Sequence, residues 1–188
     1  MPDGSHLNQS GSAALFNAPN IITFGRLCAV PLAFWLVLVH RLDLAFFLFL
    51  LAGLSDAVDG WLARRHGGNS IGALMDPVAD KALLVTMYVT LAVVGALPDW
   101  LAILVVFRDL LIVGGVIVLG ILGHPVVIRP LYVSKLNTVI QIVLIAATLF
   151  LAGFGLAAPV AMWLLIWTAA ATTLVSGAAY VWVVAHGR

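Results

Sequence analysis

Four aspartates, Asp56, Asp59, Asp76 and Asp80, fall inside a 25-residue window of mostly apolar sequence. The first two are spaced i,i+3 and the last two i,i+4, so on helices each pair lies along one face. The turn between them is centred near Gly68, with Asp59 nine residues before it, Asp76 eight after, and Asp56 and Asp80 each twelve away. In an antiparallel hairpin Asp59 comes opposite Asp76 and Asp56 opposite Asp80, and the four carboxylates converge at one depth. Charge in hydrocarbon is costly, so acids inside a membrane face a partner, a cavity or a metal. The local bases are Arg64, Arg65 and Lys81, too few to pair four acids. An all-oxygen donor set suits hard divalent cations, Mg²⁺ or Mn²⁺, and four carboxylates can hold two of them.

Small residues share that surface. Gly60 and Ala63 follow the first pair, and Gly72 precedes Asp76 by four residues. Alone, they read as close helix packing. Beside four aspartates, they read as room for a substrate to approach the backbone. Arg64 lies one turn from Gly60, where a phosphate would sit; otherwise it is a positively charged membrane anchor.

The elements that position these residues follow from hydropathy. The chain has 188 residues, 63% hydrophobic and 9% charged, with a mean hydropathy of +1.15. Soluble domains carry about 25% charged residues. This composition excludes a water-soluble globule, a disordered chain, a disulfide-stapled domain and a basic nucleic-acid binder. It predicts an all-α, polytopic membrane protein with six transmembrane helices, at roughly 21–40, 44–66, 72–95, 99–122, 132–153 and 159–184. Spans three, five and six are apolar enough to stand alone. Residues 1–14 are polar and expected to be disordered, leaving 15–188 as one six-helix catalytic domain. The first 25 residues hold no Lys or Arg, which argues against a secretory signal or a transit peptide. Lys and Arg gather in the 64–70 and 123–135 regions and at the C-terminus. Both termini and the aspartates are therefore expected on the cytoplasmic side. Cys28, the single cysteine, is expected to be a small buried packing residue. The six tryptophans are expected to form interfacial belts.

The run Asp56-Ala-Val-Asp59-Gly60-Trp-Leu-Ala63-Arg64, followed by Gly72-Ala-Leu-Met-Asp76-Pro-Val-Ala-Asp80, resembles the signature D-x-x-D-G-x-x-A-R…G-x-x-x-D-x-x-x-D of the CDP-alcohol phosphatidyltransferases. Every signature position is present. The resemblance implies that family's six-helix membrane fold, a homodimer, two divalent cations (Mg²⁺ or Mn²⁺) and displacement of CMP from a CDP-activated lipid by an alcohol. By position, Asp56, Asp59, Asp76 and Asp80 resemble its metal ligands, with Asp80 also the general base. Asp56, Gly60, Ala63, Arg64 and Gly72 resemble its CDP-binding surface. The stretch Pro19-Asn20 through Arg26 is similar to the opening of the first helix in many members.

Outside the signature the chain is most similar to the cardiolipin synthase subfamily, through Leu51 to Asp56, Met75 to Lys81, Arg108-Asp109 and Ser134-Lys135-Leu-Asn137-Thr138-Val-Ile-Gln141. That likeness implies CDP-diacylglycerol as donor, phosphatidylglycerol as acceptor, and a bacterial cytoplasmic membrane as the location. An anionic acceptor lipid needs cations that the metals do not supply. Arg108, Lys135 and Asn137 are assigned to its phosphate, with Arg26 serving the acceptor or the nucleotide, or pairing with Asp109. Arg108 and Lys135 also read as interface anchors. The alternative acceptor is glycerol 3-phosphate, as in phosphatidylglycerolphosphate synthases. No Ser/His/Asp or Cys/His grouping offers a covalent route. A cation transporter would also keep acids in the membrane but has no need of Gly60, Ala63 and Arg64 beside them. A non-catalytic scaffold is expected to have lost an aspartate.

Overall fold

In lipid, a backbone with no water to bond must satisfy its own polar groups, and a chain apolar on all sides does so as helices. The structure is a computed structural model that describes residues 18–66, 72–121 and 132–185; the polar segment 1–14 lies outside these residues. Over the described residues six helices run in order: α1 (Ala18–Leu38), α2 (Leu42–His66), α3 (Gly72–Val93), α4 (Asp99–Ile121), α5 (Tyr132–Gly153) and α6 (Pro159–Ala185). Among the described residues there is no strand. The expected spans are met within three residues at every boundary.

The connections after α1, α3 and α5 share one geometry, which explains why α1 and α3 stop two residues early. Each has a left-handed residue just past the helix: His40 (φ 57°), Gly95 (φ 74°) and Gly155 (φ 64°). The next N–H reaches back to close the last turn. Arg41 bonds to the carbonyl of Leu36, Ala96 to that of Leu91, and Leu156 to that of Leu151, at 2.8–2.9 Å. This is the Schellman arrangement, which satisfies carbonyls that a helix end leaves open.

α1 packs against both α2 and α3; α5 packs against α2 and α6; α4 packs against α3 and α6. Among the described residues α2 and α3 do not pack on each other. The facing of Asp59 with Asp76 and of Asp56 with Asp80 lies outside the described side chains. The core includes Val37, Met87, Tyr88, Leu101, Leu144 and Leu149, all fully or almost fully buried. The outside is apolar too: Val93 is 71% and Ile121 81% exposed, a surface suited to lipid.

That apolar exterior overturns the expectation for Cys28, which is exposed. In water an apolar run points to the core; in a bilayer, both faces of a helix are apolar and the run says nothing about direction. Tyr132–Gly153 and Pro159–Val183 are each long and apolar enough to cross a membrane, as expected for spans five and six.

Aromatic rings collect at the end where α2, α4 and α6 begin. Trp167 stacks obliquely with Trp100 and Trp163, at centroid separations of 5.6 and 6.1 Å. All three are exposed, as a belt requires. Phe46, Phe150 and Phe154 form a second cluster, with centroids 5.1–6.4 Å apart.

Candidate active site

α2 carries Asp56, Asp59, Gly60, Ala63 and Arg64, and α3 carries Gly72, Asp76 and Asp80. Their side chains, and that of Arg26, lie outside the described residues. Their places along the helices are fixed. At about 1.5 Å per residue, all four aspartates lie within about 15 Å of where α2 ends and α3 begins. Among the described residues no three His, Cys, Asp or Glu side chains cluster. The four aspartates remain the candidate metal donors, and a set of carboxylate oxygens alone matches the preference of Mg²⁺ and Mn²⁺.

Directly after Asp80, Lys81 enters a largely buried ionic junction. Lys81 Nζ donates to both oxygens of Asp109, at 2.7 and 2.8 Å. Arg108 Nη1 donates to the same Asp109 carboxylate at 2.7 Å. Arg108 Nη2 donates to the hydroxyls of Ser134 and Ser176, each at 2.6 Å. The junction therefore ties α3, α4, α5 and α6 together. Arg108 is 4% exposed. A buried guanidinium is tolerated only where its donors are met, and here only Nε lacks a protein partner.

One turn along α5, Asn137 continues the polar seam. Its Oδ1 accepts from Thr172 at 3.0 Å and Thr173 at 2.9 Å, while its Nδ2 has no protein partner. A turn further, Gln141 donates to Thr173 at 3.3 Å, and Tyr88 donates to the Gln141 carbonyl at 3.3 Å.

The structure thus brings Arg108 and Asn137 into one seam and leaves Lys135 apart. Lys135 is exposed on another side of α5 and makes no ion pair among the described residues. Asp109 pairs with Lys81 and Arg108. Sequence reasoning missed the Lys81–Asp109 pair and the hydroxyl partners of Arg108. A signal for the latter existed: Ser134, Asn137 and Gln141 recur along one face of an apolar helix, as do Thr172, Thr173, Ser176 and Tyr180 on α6. Polar residues at helical spacing in a membrane span mark an interior face. An apolar groove of about 730 Å³ between α3 and α4, lined by Val93, Ile103 and Phe107 among others, reaches to Asp99 at the opposite end of α4 from the α2–α3 turn.

Residues 16–175 match the family model described as CDP-alcohol phosphatidyltransferase. The chain is 34% identical to the chloroplastic CDP-diacylglycerol–glycerol-3-phosphate 3-phosphatidyltransferase 1 of Oryza sativa subsp. japonica, over 90% of this chain and 57% of that protein. It is 28% identical to the cardiolipin synthase (CMP-forming) of Homo sapiens, over 86% of this chain and 60% of that one. With the probable phosphatidylglycerophosphate synthase of Mycobacterium tuberculosis the identity is 35%, over 72% of this chain and 67% of the relative. The chain spans about three fifths of the length of the rice and human proteins.

Proposed function

The chain belongs to the CDP-alcohol phosphatidyltransferase family, and from that premise we propose that it transfers the phosphatidyl group of CDP-diacylglycerol to phosphatidylglycerol, giving cardiolipin and CMP. The complete aspartate signature, borne on two helices whose adjoining ends bring both pairs to the same end of the bundle, supports transfer from a CDP-activated lipid, and the likeness outside it, at Arg108-Asp109 and Ser134 to Gln141, supports the acceptor. The reaction is placed in the bacterial cytoplasmic membrane, with both termini inside and two chains per enzyme. The positive charge near the α2–α3 turn supports that orientation.

Phosphoryl-type transfer asks the protein for positioning and charge balance more than for covalent help. Asp56, Asp59, Asp76 and Asp80 would hold the two divalent cations, which when bound neutralise charge on the pyrophosphate. Gly60, Ala63 and Gly72 present little bulk, so the cytidine diphosphate can lie against the helices, with Arg64 donating to a phosphate oxygen. Asp80 accepts the proton of the acceptor's primary hydroxyl. That oxygen forms a bond to the phosphorus bearing the diacylglycerol, and the bond from this phosphorus to the bridging pyrophosphate oxygen breaks, releasing CMP. Lys135, exposed and unpaired among the described residues, supplies charge to the acceptor phosphate. Arg108 Nε and Asn137 Nδ2 are the donors in the seam still open to it, and Arg26 is assigned to the same phosphate.

The second reading, with glycerol 3-phosphate as acceptor, is favoured by the rice and mycobacterial relatives, whose identities exceed that of the human one. Purified chain supplied with CDP-diacylglycerol, Mn²⁺ or Mg²⁺ and each acceptor in turn decides between them. Cardiolipin from phosphatidylglycerol is the expected product; product from glycerol 3-phosphate alone overturns the acceptor. Asp80→Asn should lower turnover by about 10²–10⁴-fold, the range for loss of a general base, and spare nucleotide binding more than Asp59→Asn does. Equal loss of binding in both variants would remove the separate role given to Asp80.

A further inference from the structure

Lys81 follows Asp80 directly in α3, and its ammonium is gripped by both oxygens of Asp109 in α4. The Asp109 carboxylate is itself immobilised. Arg108 holds it from the neighbouring position, and Arg108 is anchored in turn to Ser134 of α5 and Ser176 of α6. A carboxylate held this way has little freedom to follow α3 if that helix turns. We infer that Asp109 is a positioning residue for the aspartate site: through Lys81 it sets the rotation of α3, and with it the direction in which Asp76 and Asp80 leave the helix. The inference rests on the reading of those two aspartates as cation ligands.

The sequence of α3 says why such a tie is needed. Pro77, between Asp76 and Asp80, has no N–H to give to the helix, so internal hydrogen bonding is weakened where the two carboxylates start. With 3.6 residues per turn, Lys81 sits about 100° round the helix from Asp80 and about 140° from Asp76. The tie therefore grips the flank of α3 and leaves the aspartate face clear. Side chains reach about 5–6 Å from a helix axis, so a turn of about 10° moves a carboxylate by about 1 Å. A misplacement of that size can cost about 10²-fold in rate.

Lys81→Met in the full chain tests this. The Lys81 side chain is 39% exposed, and its removal leaves Arg108 and Asp109 as a balanced pair. The expected result is a kcat lowered at least tenfold, a KM for CDP-diacylglycerol within twofold of the parent, and Mn²⁺ affinity weakened at least threefold. The Mn²⁺ affinity is read by electron paramagnetic resonance with no lipid substrate present. Lys81→Arg keeps the ion pair and should hold kcat and Mn²⁺ affinity within threefold of the parent. Unchanged Mn²⁺ affinity in Lys81→Met overturns the inference. A raised KM with kcat intact also overturns it, because Lys81 would then be a substrate contact. Loss of both properties in Lys81→Arg overturns it even if Lys81→Met does not fold. Parent protein that binds Mn²⁺ but releases no CMP with either acceptor defeats the transferase reading alone, because the Mn²⁺ comparison still stands.

Discussion

Where α1, α3 and α5 finish, the bundle is closed by backbone: three Schellman caps, a glycine contact between α5 and α2, and aromatic clusters at the rim. Toward the other end, side chains do the closing. One carboxylate, two cations and two serine hydroxyls join four helices, and the polar seam beyond them keeps unpartnered donors. Tight backbone closure favours a single rigid arrangement. A buried polar junction is less tolerant of change, since removal of one member exposes the cost of the others. This chain gathers its buried charge at the end that carries the aspartates and relies on plain packing at the other.

The largest expected effect breaks the ionic side of this contrast. Asp109→Ala leaves the buried Arg108 and the half-buried Lys81 without their shared anion. Orphaning a buried charge costs about 3–5 kcal/mol, read as loss of stability in detergent-mediated unfolding of the purified protein. Arg108→Met, which leaves Lys81 paired with Asp109, should lose clearly less. If Asp109→Ala costs under about 1 kcal/mol, the value of a surface pair, then the junction is solvated and the contrast between the ends fails.

A middle-sized effect sharpens the backbone side. A Cβ at Gly153 would stand 2.6 Å from the Asp43 nitrogen and 2.8 Å from the Leu42 carbonyl carbon. Those atoms belong to the first turn of α2 and cannot swing aside as a side chain would. Gly153→Ala should therefore cost about 1–3 kcal/mol, the usual penalty of overpacking. Below its lowered melting temperature, kcat should stay that of the parent, because Gly153 is far along α5 from Ser134. A fall in kcat without a fall in stability would show that the two ends are coupled.

These contrasts were unevenly legible in the sequence. The six helices could be placed because Gly95, Gly155 and the His40-Arg41 pair interrupt long apolar runs, and their local chemistry ends helices with little tertiary help. The aspartates could be found because charge in hydrocarbon is rare and their spacing is helical. Which face α5 and α6 turn inward is marked by their polar residues, but a wholly apolar stretch gives no such sign, since lipid and core are both apolar; Cys28 shows this. Nor could the partners of Arg108. Ser134 is 26 residues away and Ser176 68, and only the packing of α4 against α6, and α6 against α5, brings them together. Lys81 appeared as a base near the aspartates, and nothing local tells that it turns to Asp109, 28 residues on.

The smallest expected effect has the opposite sign and tests whether the caps are governed by backbone alone. Of the three left-handed cap residues, two are glycine and the third is His40, at φ 57°. A residue with a Cβ loses about 1–2 kcal/mol in that conformation. Glycine escapes the cost but gains freedom in the unfolded chain, which takes back about 0.4–1 kcal/mol. His40 is exposed, and among the described residues its side chain has no hydrogen-bond partner, so little else is lost with the ring. His40→Gly should therefore stabilise the protein by about 0.5–1 kcal/mol, seen as a small rise in melting temperature with kcat unchanged. His40→Ala, which keeps the Cβ, should show no such gain. If the alanine variant is as stable as the glycine variant, the strain at His40 is not the backbone strain that the two neighbouring caps avoid, and the imidazole itself has to be the cause.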